Sequence, residues 1–306
     1  MVLVLRLILN TVHQEVVQIL ENIPGITWKS KMHDLMNNKS DQRLDKIYRA
    51  KAPQIIQKTA KQFTQVASKK TPDYWDWVQM NPGCSDVVPN MGNCDASSQL
   101  SIMNTFSDFR CFQGKDAERI EYSTQYMISC NQLSQCSDCD SGYCGTDAVW
   151  NFLIDQGAVT ESCISYKSGV TGKIGKCPIQ CDDGTELSFV KAEEVISICQ
   201  ESLNSKEREE MIKEALINGP VSSMLIIHED LYYYESGIYQ HVYGWDGGWS
   251  ACEIIGYGEE NGVKFWKVKN VWGREWGENG YFRILRGSPD TYGESEIEFD
   301  CYQAIV

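Results

Sequence analysis

Histidine and basic charge are what this chain has least of. It carries four histidines in 306 residues, and 28 Lys plus Arg against 42 Asp plus Glu give a net charge of -14. Nucleic-acid binding rests on Lys and Arg neutralising phosphates, so this balance, with no basic arm to offset it, excludes a nucleic-acid partner. Long apolar runs are missing as well. The stretch from Val2 to Leu9 is broken by Arg6 and falls short of the roughly 20 residues that cross a bilayer, so no transmembrane span is expected. Without a basic n-region it reads as a degenerate secretory signal, with an ordinary helix start as the alternative. Internal repeats and low-complexity tracts are absent. At 42% hydrophobic, the chain can bury a core for one large or two closely packed domains.

Cysteine, by contrast, is plentiful and unevenly placed. Of thirteen cysteines none precedes Cys84, and ten fall between Cys84 and Cys181. Such a density calls for disulfides or metal. A zinc set could draw on Cys136 and Cys139 with Cys130 or Cys144, but a second Cys-x-x-Cys or His-x3-His pair is wanting, so a disulfide framework is expected, with no metal and no cofactor. Disulfides imply an oxidising compartment, whether secretory, lysosomal or another permissive lumen, in tension with the weak leader. The odd count leaves at least one thiol over, with Cys199, Cys252 and Cys301 the candidates.

Residues 1–70 differ from the remainder: they hold no cysteine, many Lys and Gln, and helix-spaced apolar residues at Val12, Val16, Ile19 and Leu20, then Leu44, Ile47 and Tyr48. They read as a helical extension lying on another surface. Asn38-Lys39-Ser40 is a glycosylation sequon if the chain enters the secretory path. Pro72 closes the extension, and Tyr74-Trp75-Asp76-Trp77 begins the main body. Helices are expected over Gln99 to Cys111, with Leu100, Met103, Thr105 and Phe106 facing a core, over Ser123 to Ser129 and over Asp147 to Asp155. Short β-branched or aromatic runs punctuated by Gly follow at Val221 to Ile227, Ser250 to Tyr257, Lys264 to Val271 and Gly280 to Leu285. A helical half followed by a β half predicts an α+β protein with a cleft between the two.

Several segments in order, Asn218-Gly219-Pro220-Val221, Ser236 to His241, Gly256-Tyr257-Gly258, Lys269-Asn270-Val271-Trp272-Gly273 and Trp276 to Ile284, resemble the papain family of cysteine peptidases, and within it the cathepsin B branch. Glu21-Asn22 with Thr27-Trp28 looks like the short propeptide of that branch. The resemblance implies a papain-like two-lobe α+β fold, with a helical left lobe and an antiparallel, barrel-like right lobe over residues 71–306. A propeptide-like extension over 1–70 would remain attached and fill part of the groove. It also implies disulfides Cys84–Cys111, Cys94–Cys139, Cys130–Cys177 and Cys163–Cys181, with Cys136 and Cys144 near enough in sequence to pair. Cys139 is followed by Asp140, Ser141 and Gly142, which stand where the family has Asn-Gly-Gly on a wall of the substrate cleft, so peptide docking is put in doubt. Thirteen residues between Cys163 and Cys177 leave no room for the branch's histidine-bearing occluding loop, so dipeptide trimming is not implied.

The family's chemistry needs a thiolate, an adjacent imidazolium, a group to orient the imidazole and an oxyanion donor. Its box reads Gln-Gly-x-Cys-Gly-Ser-Cys-Trp, whereas this chain has Met91-Gly92-Asn93-Cys94-Asp95-Ala96-Ser97-Ser98. Ser97 thus stands at the nucleophile position, and its hydroxyl ionises far less readily than a thiol. Met91 stands at the oxyanion position, and a thioether donates no hydrogen bond. Nine residues after His241 and six before Gly256 lies Ser250, at the base position; a slip of one residue gives Trp249, and neither accepts a proton near neutrality. Asn270 retains the orienting position and Trp272 its companion, though each serves equally as a backbone-bonding amide and a core aromatic. The expected protein is therefore a catalytically inactive relative that acts as a structural or binding protein, as a subunit of a larger assembly with protein partners. The alternatives are a residual hydrolase using Ser97 and a decoy that captures peptides in a dead cleft.

Overall fold

The computed structural model describes residues 13–33, 61–62, 71–131, 139, 144–200, 202–290 and 292–306. Within these, the left lobe is built on helix α1, Ser97–Phe112, flanked by α2, Thr124–Cys130, and α3, Thr146–Asp155. All three expected helices are present, each within a few residues of its predicted ends. The expected core face of α1 is an understatement, because every residue from Ser97 to Phe109 is buried. A helix with polar residues all round can be buried only if their hydroxyls find partners, and Thr105 and Ser107 donate back to the carbonyls of Ser101 and Met103 at 2.9 Å each.

The right lobe is a ten-stranded mixed sheet. Its strands are β1 Trp28–Ser30, β2 Lys61–Gln62, β3 Trp75–Asp76, β4 Glu194–Ser197, β5 Val221–His228, β6 Tyr234–Tyr239, β7 Asp246–Glu260, β8 Val263–Lys269, β9 Tyr281–Leu285 and β10 Tyr302–Ile305. They run in the order β1-β6-β9-β8-β7-β5-β10-β4-β2, with β3 also on β7, and all pairings are antiparallel except β6 with β9 and β2 with β4. Central β7 is buried without a break from Ser250 to Gly258, the signature of a strand covered on both faces. Gly256 admits β3: a Cβ there would lie 2.3 Å from the Trp75 carbonyl oxygen.

Two expectations need correction. The second half is not purely β, because α4 spans Ser205–Leu216. Its charged exposed face hides the apolar stripe of Met211, Ile212, Ala215 and Leu216, but the capping box of Asn204 and Glu207 that starts it was readable. The extension is not purely helical either: residues 13–21 are helical, but β1 and β2 are strands. Val16 and Leu20 are buried as expected, whereas Ile19 is 43% exposed. Val12, Leu44, Ile47, Tyr48, the Asn38 sequon and the stretch from Val2 to Leu9 lie outside the described residues.

The extension docks on the right lobe through backbone. Strand β1 pairs with β6, and Ile238 N donates to Thr27 O and Lys31 N to Tyr233 O. Trp28 is buried, its indole donating to Gln240 O at 2.9 Å. Disulfides close Cys84–Cys111, Cys94–Cys139, Cys130–Cys177 and Cys163–Cys181. Cys144 is disulfide-bonded too, and Cys136 lies outside the described residues. With Cys130 and Cys139 so committed, zinc ligation through them is ruled out. Cys199, Cys252 and Cys301 are free and buried. Among the described residues no helix is long and apolar enough to cross a membrane.

Candidate active site

Ser97 is the first residue of α1 and is 2% exposed. The preceding chain is held in place by the Cys94–Cys139 bridge and by Asp95 N donating to Cys139 O at 3.0 Å. Ala96, at the N-cap, offers no side-chain acceptor. The free N–H groups and positive dipole end of the helix therefore point at this position. Such a field favours an anion, but a serine hydroxyl needs a base within about 3 Å to become one. Among the described residues no hydrogen bond joins the Ser97 and Ser250 hydroxyls.

Met91 lies beside the strand-end segment that carries Asn270 and Trp272. Its N–H donates to Val271 O at 2.9 Å, and Asn90 bridges to Trp272. Its carbonyl accepts the Tyr166 hydroxyl at 3.0 Å. Asn270 is 2% exposed; its Oδ1 accepts the Val271 N–H at 2.8 Å, and its Nδ2 has no partner. Trp272 is buried, stacked on Tyr232 with centroids 5.0 Å apart and set edge-on to Trp276 at 4.8 Å. Both thus have the structural roles open to them from sequence. Ser250 sits on β7 opposite Leu225 of β5 and is 6% exposed. The structure thus brings Met91, Asn270 and Trp272 together; Asp140, Ser141 and Gly142 lie outside the described residues.

Beneath this region the two lobes are pinned by a buried charge network that sequence reasoning missed. Lys269 Nζ contacts Asp108 and lies 3.2 Å from Glu253 Oε2, with all three side chains at most 1% exposed. Arg119 Nε donates to the other Asp108 oxygen at 2.6 Å, and Asn104 Nδ2 donates to Glu253 Oε2 at 2.6 Å. Burial and the neighbouring Asp108 charge push the Glu253 carboxyl up, to about 8. Asn104 and Asp108 recur at helical spacing along α1, and Glu253 faces Lys269 across the β7–β8 ladder. That register was the only signal, and it needs the fold to be read.

The histidines are committed elsewhere. His13 Nδ1 lies 2.6 Å from the Tyr233 hydroxyl. His33 is depressed by burial, and its two ring nitrogens lie 2.7 Å from Tyr234 O and 3.2 Å from Glu275 O. His228 Nδ1 is 2.7 Å from Asp246, and His241 Nδ1 is 3.1 Å from Asp230. Cys252, two residues beyond Ser250, is fully buried and its thiol is pushed well up by burial, which leaves it inert.

The sequence pattern of "Papain family cysteine protease" matches residues 71–304. Curated relatives include Cathepsin B-like CP2 of Giardia intestinalis, 38% identical over 226 residues covering 74% of this chain and 72% of the relative. Cathepsin B-like CP3 of the same organism is 36% identical over 234 residues, covering 76% and 75%. Among solved structures, proCathepsin B S9 from Trypanosoma congolense superposes with a TM-score of 0.80 at 24% identity, over 95% of this chain and 97% of that one. Recombinant stem bromelain precursor gives a TM-score of 0.79 at 19% identity, over 99% and 91%.

Proposed function

The chain belongs to the papain family of cysteine proteases, and from that premise we propose that it is a non-catalytic, cathepsin B-like protein whose role is structural or binding, as a subunit of a larger assembly. One observation carries the reading: the amide of Asn270 turns its acceptor to the adjacent Val271 N–H instead of to an imidazole, and each of the four histidines is engaged with other groups. Among the described residues no base is hydrogen-bonded to Ser97, and losing nucleophile and base together removes on the order of 10⁶ in rate in comparable triads. Met91 supplies no side-chain donor to an oxyanion. Fold membership does not override this, because chemistry resides in the site.

The extension supports the same reading. It is anchored to β6 by strand pairing and by Trp28, and a chain that cannot cleave itself retains it. The expected filling of the groove by the extension is not seen among the described residues, which leave out 34–60 and 63–70. The disulfides are consistent with an oxidising compartment; a secretory or lysosomal-type lumen is the proposal. Isolation from the native source under mild conditions, with mass spectrometry of the N-terminus and of co-purifying proteins, tests the reading. An unprocessed chain in a stoichiometric complex is expected. A free chain beginning near residue 71 overturns it.

A further inference from the structure

We propose that His228, His241 and Asp246 form a binding site for a divalent transition metal ion of the zinc type, on the right lobe and distinct from the cleft. A metal-ligating atom from each of the three lies within 4.8 Å of the others. The fold creates the cluster: His228 ends β5, Asp246 opens β7 directly opposite it in the ladder, and His241 follows β6. Asp246 is four residues from Ser250 along β7, about 13 Å of strand, so the cluster is not part of the Ser97–Asn270 region.

One of the two imidazoles is held from behind by a buried carboxylate. His241 gives its Nδ1 to Asp230, which leaves Nε2 as the metal-facing nitrogen. Asp230 is fully buried and fixed by the Tyr239 hydroxyl at 2.6 Å and by the N–H groups of Val242 and Tyr243 at 2.8 and 3.0 Å. A carboxylate behind a ligating imidazole fixes its tautomer and raises its basicity, the arrangement common to zinc-bound histidines. Asp246 is the solvent-facing member, with its side chain 72% exposed, while the His228 side chain is 11% exposed.

The two imidazole rings stack with centroids 3.8 Å apart and planes 17° from parallel. Nearby Glu294, whose carboxylate accepts the His241 backbone N–H at 2.9 Å, and Glu296 add negative potential that attracts cations. Two nitrogens and one carboxylate oxygen select a borderline ion such as Zn²⁺ over Ca²⁺ or Mg²⁺.

To hold an ion, His228 would present Nδ1 with its ring proton moved to Nε2, the two rings would have to splay from their stack to aim their in-plane lone pairs at it, and water would complete the tetrahedron. This inference holds whether or not the cleft turns over peptides.

The test is zinc titration of the chelator-treated full chain by calorimetry, alongside the visible spectrum of the Co²⁺ form, for the wild type, His228→Gln and Asp246→Asn. One equivalent of zinc and a tetrahedral nitrogen/oxygen cobalt spectrum are expected. Each variant should bind more than about tenfold more weakly, since even second-shell losses cost roughly 10–100-fold. Both positions lie at strand ends, and an unchanged thermal melt of the metal-free variants separates ligand loss from misfolding. Failure of the wild type to bind one equivalent, binding undiminished in both variants, or a thiolate-to-cobalt absorption band from Cys199, Cys252 or Cys301 would overturn the proposal.

Discussion

Replacing Lys269 by methionine tests how the two lobes are held together. Lys269 is 1% exposed and bridges Asp108 on α1 to Glu253 on β7. Removing one member of a buried ion pair typically costs about 3–5 kcal/mol, because a charge is left buried without its partner. Asp108 would keep its bond to Arg119 at 2.6 Å, and Glu253, its carboxyl pushed up to about 8, is already largely protonated at pH 7, so the lower end applies. We expect about 3 kcal/mol at pH 7, a large share of a total that is commonly 5–15 kcal/mol.

The pH dependence follows from Glu253. Its folded carboxyl lies above the unfolded value, so its favourable contribution is complete below the unfolded pKa and disappears as pH rises through the folded one. Lys269 is the cation that holds this carboxyl down, so without it the folded value rises further and the variant loses stability more steeply than the wild type between pH 6 and 8. The limit is about 1.4 kcal/mol per pH unit for one proton. Urea unfolding of both proteins at pH 6, 7 and 8 measures this. A loss below about 1 kcal/mol at pH 7, or parallel pH slopes, would refute the claim that these charges pin the lobes.

Two further outcomes are expected. Burial pushes Glu161 and Glu298 up to about 7, alongside Glu253, so each stabilises below its unfolded pKa and loses that effect as pH rises through the folded value. His33 and His228, depressed by burial, oppose this only below the unfolded imidazole pKa of roughly 6.5. Above it the carboxyls act unopposed, so the thermal midpoint should fall from pH 6.5 to pH 8; a midpoint that rises over that interval contradicts the assignment. Second, Cys94→Ala with Cys139→Ala removes a bridge of sequence separation 45, for which chain entropy gives a loss of about 4 kcal/mol. Chemical denaturation showing less than about 1 kcal/mol would mean that the bridge does not constrain the unfolded chain.

The fold was legible where residue periodicity and punctuation agree. The three left-lobe helices and strands β5, β7, β8 and β9 stand where Pro- and Gly-free or β-branched runs predict them. Strand β7 begins four residues earlier than expected, at Asp246, because Gly247 and Gly248 look like punctuation but form an irregularity within the strand, Gly248 at φ +100°, beyond which pairing resumes at Asp246 opposite His228. Helix α4 was concealed by its seven charged residues in twelve, and strands β4 and β10 were concealed by shortness.

Site legibility was similarly divided. Linear order placed Met91, Ser97, Ser250, Asn270 and Trp272 by resemblance, and the fold brings Met91, Asn270 and Trp272 into one region. Nothing local marks Asp108, Arg119, Glu253 and Lys269 as partners, since they meet only across a helix and two strands. The meeting of His228 with Asp246 is likewise a matter of strand register, 18 residues apart in sequence.

The central claim is that no peptide bond is broken in this cleft. Incubating the purified full-length chain, and the same chain with residues 1–70 removed by an added protease, with fluorogenic dipeptidyl substrates from pH 4.5 to 7.5 tests it most directly when Ser97→Ala is run in parallel. We predict signals indistinguishable from the alanine variant at every pH. Measurable turnover by the unmutated chain that Ser97→Ala abolishes would contradict the account.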